Sequence, residues 1–217
     1  MKTLIALLVL AVLGLAAGIG FLYSGIYNMA ADEPHWMTTE KVLETLRERS
    51  IATRIGGLEV PADLSDAARV RRGAGNYDAM CAGCHLNPGV NESEIRKGLY
   101  PQPPNLSLNP AWHGHEHEHA GDPAAATRQF WIIKHGIKAS GMPAWSRGGM
   151  DDGTIWDMVA LLQKLPEFSP EAYAAAVAAS EGHTHAGSAD HHPDANNETP
   201  EAPKTQKKHE DGHEHSH

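Results

Sequence analysis

Residues 80–86 read Met-Cys-Ala-Gly-Cys-His-Leu. Cys81, Cys84 and His85 form C-x-x-C-H, the attachment signature of a c-type haem. The spacing follows from the chemistry. Two thiols must reach two vinyl groups on one edge of a porphyrin, and the adjacent imidazole must turn under the ring to bind iron. The two cysteines are the only ones in the chain, so no Cys-rich metal site or other disulfide competes for them. A thioredoxin-like redox pair would follow a strand in a βαβ unit. The residues before Cys81 read instead as a helix.

Outward from this stretch, the 217 residues divide by composition. No charge occurs from Thr3 to Ala31, and the run Leu4–Tyr23 is long enough for the roughly 20 residues that cross a bilayer. Tyr23 and Tyr27 mark an aromatic interface beyond it. Residues 1–31 therefore read as an N-terminal transmembrane anchor. The rival is a cleaved signal peptide, whose apolar core is usually shorter, about 7–15 residues, with Ala30-Ala31 as a weak cleavage site. Residues 32–64 read as a juxtamembrane helical collar. Thr38 or Thr39 caps a helix through Val42, Leu43, Leu46 and Ile51, which Gly56-Gly57 and Pro61 end. Arg47, Glu48 and Arg49 make a solvated face on it, and His35 is a surface residue near the membrane.

Residues 65–167 form the globular part. Ser65 is the expected N-cap of a helix reaching about Cys81, with Gly73 and Tyr77 on one face. Residues 86–110, rich in Pro, Gly and Asn, read as loop. A helix resumes from Pro123 to His135 with Phe130, Ile133 and Ile137 inward. Gly136 and Gly141 break it, and Asp151 or Asp152 caps a last core helix from Ile155 to Leu165. Residues 168–180 read as a short Ala-rich helix. Residues 181–217 hold eight acids and three lysines with no plausible core and read as disordered. A net charge of −9 argues against nucleic acid as a partner.

Residues 66–166 resemble a class I cytochrome c. The resemblance rests on Cys81–His85 after a helix, on Pro104-Asn105-Leu106, and on Gly141-Met142-Pro143-Ala144-Trp145 before the last helix. It implies an all-α fold around one covalent haem c, with His85 and Met142 as axial iron ligands. It implies that the Pro104 carbonyl accepts a hydrogen bond from His85, and that Gly73, Tyr77 and Trp156 meet where the first and last helices cross. Gly141 and Pro143 give Met142 a restricted backbone, whereas Met150 follows a flexible Gly-Gly, Met158 reads as core, and His135 reads as surface. The anchor is similar to those of membrane-bound bacterial cytochromes. This implies a single-pass protein of the bacterial inner membrane, its haem domain in the periplasm, exchanging one electron at a time with redox partners at the membrane. Such a protein is a carrier rather than an enzyme, or the cytochrome subunit of a larger dehydrogenase or oxidase.

The His-rich segments are not features of that family. His113, His115, His117 and His119 alternate with Gly and Glu, and the tail carries His183, His185, His191, His192, His209, His213, His215 and His217. Imidazoles so clustered are candidate ligands for copper, nickel or zinc.

Overall fold

The computed structural model describes residues 1–108 and 122–183, and every regular element among them is helical. Helix α1, Lys2–Ser24, has no buried residue and ends in Gly25 at φ 67°. At 1.5 Å per residue its 23 residues span about 35 Å, enough to cross a hydrocarbon layer about 30 Å thick.

Helix α2, Met37–Ala52, starts before the expected threonine caps: Trp36 is its N-cap and makes no side-chain cap bond. Thr38 and Thr39 lie inside its first turn. It also ends before Gly56-Gly57, where the Arg54 guanidinium donates to the Ser50 carbonyl at 2.7 Å. The charged face is not simply solvated. Glu48 pairs with Arg128 at 2.8 Å, and the Arg128 side chain is only 10% exposed. Ile51 is buried, while Val42 and Leu46 point outward.

Helix α3 spans Ala67–Met80. Its cap is Asp66 rather than Ser65, the carboxylate accepting from the Ala68 N–H at 2.8 Å. A single turn, α4 (Ala82–His85), follows directly. The stretch read as loop contains a short helix α5, Glu94–Gly98, capped by the Ser93 hydroxyl. Helix α6 spans Pro123–His135, with Asp122 as cap. Helix α7 spans Asp152–Leu162 and is capped by Asp151, which accepts from the Thr154 N–H at 2.8 Å. It starts and stops one turn earlier than expected, and Leu165 belongs to a following 3-10 turn. Helix α8, Pro170–Ala178, forms where the Ala-rich segment predicts one.

Helices α3 and α7 cross closely at Gly73, where any Cβ would lie 2.1 Å from the Asp157 carbonyl oxygen. Asp157 is itself buried, held by Arg72 through Nε at 2.6 Å and Nη2 at 2.9 Å, and by Arg69 through Nη1 at 2.8 Å. At this crossing Tyr77, one turn on from Gly73, shares a buried cluster with Leu161 of α7, while Trp156 reaches α6 instead. Trp156 stacks on Phe130 of α6 with centroids 4.2 Å apart, and Tyr77 meets Tyr173 of α8 edge-on. Two apolar clusters result, one around Phe130, Ile155 and Trp156, the other around Tyr77, Leu161 and Tyr173. Cys81 and Leu162 pack against both.

Candidate functional site

An apolar cavity opens between the clusters, about 570 Å³ with its mouth included. Cys81, His85, Pro104 and Met142 all line it. Cys84 is on α4, three residues from Cys81 and half-buried, outside the lining.

Helix α3 delivers Cys81 and the α4 turn delivers His85, whose N–H bonds back to the Cys81 carbonyl at 2.8 Å. Burial pushes the Cys81 thiol up to about 12, so the sulfur is un-ionised in its apolar wall. The His85 Nδ1 lies 2.9 Å from the Pro104 carbonyl oxygen. A carbonyl only accepts, so Nδ1 carries the proton and Nε2 keeps its lone pair. Burial lowers the His85 pKa, opposed by the Pro104 bond and reinforced by the nearby Arg96 charge. The imidazole is therefore neutral, the form that binds a metal.

The Pro104 segment is pinned from several sides. Arg96 Nε donates to the Pro103 carbonyl at 2.9 Å, the Leu106 N–H donates to the His85 carbonyl at 3.0 Å, and Asn105 accepts from the Ser107 N–H at 3.0 Å. The turn through Leu86, at φ 64°, is tied down by the Tyr77 hydroxyl, which donates to the Leu86 carbonyl at 2.5 Å.

Met142 is held by its backbone. Its N–H donates to the Ser140 hydroxyl at 3.2 Å and its carbonyl accepts from the Ile137 N–H at 3.1 Å. Two residues of this loop take positive φ, Ala139 at 57° and Gly136 at 65°, and a Cβ at Gly136 would come within 2.7 Å of the Met142 oxygen. Gly141 has a different task. It leaves room for Leu99, whose Cδ2 would lie 2.7 Å from a Cβ there.

The competing ligands separate on position. His135 is exposed and rests against Trp131. Met150, expected in a flexible loop, is buried beside Phe130, with its N–H on the Trp145 carbonyl at 3.2 Å. Met158 is core as expected, yet it also lines the cavity, its sulfur 3.9 Å from that of Cys81. Sequence reasoning missed that role, along with the cavity-lining Gln129, Ile132 and Leu162. The i, i+3, i+4 faces of α6 and α7 carried that signal. His113, His115, His117, His119 and the tail histidines beyond His183 lie outside the described residues. His183 is exposed, and among the described residues no three His, Cys, Asp or Glu side chains converge as a metal site.

The donor set fits a haem c. It comprises a thiol, an imidazole with a free Nε2, a thioether and an otherwise apolar wall, with a second thiol one turn away. Residues 68–162 match the family model described as cytochrome c oxidase, cbb3-type, subunit III. No curated protein and no solved structure matches the chain significantly. The match falls on α3 to α7, the helices that build the cavity and carry the C-x-x-C-H motif, and residues 68–162 are therefore a class I c-type cytochrome domain.

Proposed function

We propose that this chain is a one-electron carrier anchored in a bacterial inner membrane by residues 4–23, with its haem domain in the periplasm. It holds a single haem c, since the chain has one C-x-x-C-H and no further cysteine. Cys81 and Cys84 tether the group, and His85 and Met142 bind its iron. Once bound, the haem supplies a one-electron couple.

The residues supply the rest. Pro104 orients the His85 ring and raises its basicity. Met142 favours the reduced state relative to a second imidazole, which raises the potential. His85 and Met142 would both hold the iron, which would suit the site to electron transfer rather than to binding oxygen or substrate. Ile132, Ile133, Leu106 and Leu162 keep water from the site. The observation that carries this reading is the 2.9 Å bond from His85 to Pro104 beside a cavity that Met142 also lines. Denaturing gels stained for haem peroxidase activity test it. Stain should remain with the wild-type chain and vanish with Cys81→Ser/Cys84→Ser; a wild-type chain without stain refutes it.

The description of the matching family favours a second reading, in which the same electron transfer serves a terminal oxidase of which this chain is a cytochrome subunit. Purification from detergent-solubilised membranes separates the two. Oxidase activity that co-elutes with the haem spectrum marks a subunit, and a haem spectrum alone marks a free carrier.

A further inference from the structure

The segment between α1 and the haem-site domain has the contacts of a strap rather than of a tether. A flexible linker is rich in Gly and Ser, whereas here Tyr27 and His35 are half-buried although the residues around them from Gly25 to Trp36 are exposed. Here the Tyr27 hydroxyl and His35 Nδ1 share a hydrogen bond at 2.7 Å. The His35 backbone N–H donates to the Tyr100 hydroxyl at 3.0 Å, and the two rings meet edge-on with centroids 5.1 Å apart. Trp36 closes the group from the other side, 4.9 Å from Tyr27 and 5.9 Å from Phe21 of α1. Turns stiffen the intervening chain, with the Ala30 N–H on Asn28 Oδ1 at 2.9 Å and the Ile26 N–H on Ser24 Oγ at 3.2 Å.

The place of docking matters as much as the contacts. Tyr100 belongs to the loop in which Leu99 packs at Gly141, next to Met142, and in which Pro104 accepts from His85. The far end of the segment is clamped as well. Glu48 pairs at 2.8 Å with Arg128 of α6, which also lines the cavity, and Ile51 is 1% exposed.

We propose that residues 25–52 are a rigid strap that fixes the direction in which the haem site faces relative to the membrane, with Tyr27, His35 and Tyr100 as its positioning residues. The inference rests on the proposed anchor and haem site. It fits a redox partner held in the same bilayer. Orientation of two specific patches is what slows most protein encounters, and a strap of this kind settles much of that orientation in advance.

The test uses the full-length protein, reconstituted in lipid multilayers stacked on a flat support, with electron paramagnetic resonance of the ferric haem recorded against sheet angle. The wild type should give strongly angle-dependent signals. His35→Ala with Tyr100→Phe should remove at least half of that angular amplitude while the optical spectrum stays unchanged. Tyr27→Phe deletes a single hydroxyl outside the haem domain and should give an intermediate loss. Signals that do not vary with angle in the wild type, from protein that keeps its haem and resists carbonate extraction, would overturn the strap alone. Unchanged amplitude in all variants would overturn the role of these residues. Release of the wild type by carbonate, or absence of covalent haem, would bring down the underlying reading and the strap with it.

Discussion

Gly73→Ala adds one methyl group at the tightest point of the α3–α7 crossing. The new Cβ would stand 2.1 Å from the Asp157 carbonyl oxygen, 2.8 Å from its carbon and 3.1 Å from Leu161 Cβ. Ordinary contact begins near 3.4 Å, so the helices must part by roughly 1 Å, and the nearest atoms are backbone that cannot swing aside. Overpacking of this kind costs about 1–3 kcal/mol, and backbone opposition puts the case at the upper end. Separation also stretches the bonds from Arg69 and Arg72 to buried Asp157, now 2.6–2.9 Å, each worth about 1.5–3 kcal/mol when intact. Alanine returns about 1 kcal/mol of helix propensity. The net expectation is a loss of about 3 kcal/mol, a fall in Tm of about 12–24 °C for a domain of this size. Thermal melts by circular dichroism on the haem-loaded protein measure it. Gly98→Ala, where a Cβ would meet nothing within 4 Å, is the control and should stay within about 1 kcal/mol of wild type. If Gly73→Ala melts with the control, the close crossing does not hold the fold.

Arg128→Ala should cost about 2 kcal/mol, less than the roughly 3–5 kcal/mol of a fully buried pair because Glu48 keeps 23% exposure, and urea titration reads it. The pair also sets an acid dependence. Burial alone would raise the Glu48 pKa, but Arg47 and Arg128 together hold it below the ordinary 4.5. Its contribution is therefore fully present above about pH 4.5 and is lost as pH falls through the lower folded-state value, a limb that Glu48→Gln should flatten in pH-dependent melts. Sodium carbonate washing should leave the full-length chain in the membrane fraction, and an amino terminus starting near residue 31 would contradict the anchor. Deletion of residues 181–217 should lower copper, nickel and zinc uptake in equilibrium dialysis, because eight of the fifteen histidines go with it.

What the sequence made legible was local. Pro123 and Gly136 bracket α6 at its observed ends, since one presets helical φ and the other sits at φ 65°. The C-x-x-C-H motif placed half of the site. The other half depends on partners distant in sequence. Glu48 reads as a surface charge until Arg128, 80 residues on, folds against it. Met150 reads as loop until it is seen packed beside Phe130. Met158 sits on an apolar helix face that serves core and cavity at once. Helix α5 has only five residues, too few for periodicity to register. The Asp66-for-Ser65 exchange shows the opposite limit: two good caps side by side, with the carboxylate one residue on taking the role.

The measurement that bears most directly on the central claim is the visible spectrum of the ferric full-length protein, wild type against Met142→Ala. The wild type should show the weak sulfur-to-iron band at the red end. Met142→Ala should lose it, bind carbon monoxide when reduced and fall in potential, while the chain keeps its covalent haem through Cys81 and Cys84. Met158→Ala should retain the band and lose about 2–5 kcal/mol of stability, because that buried side chain serves the core. A band that survives in Met142→Ala, or that disappears in Met158→Ala instead, would contradict His85/Met142 ligation.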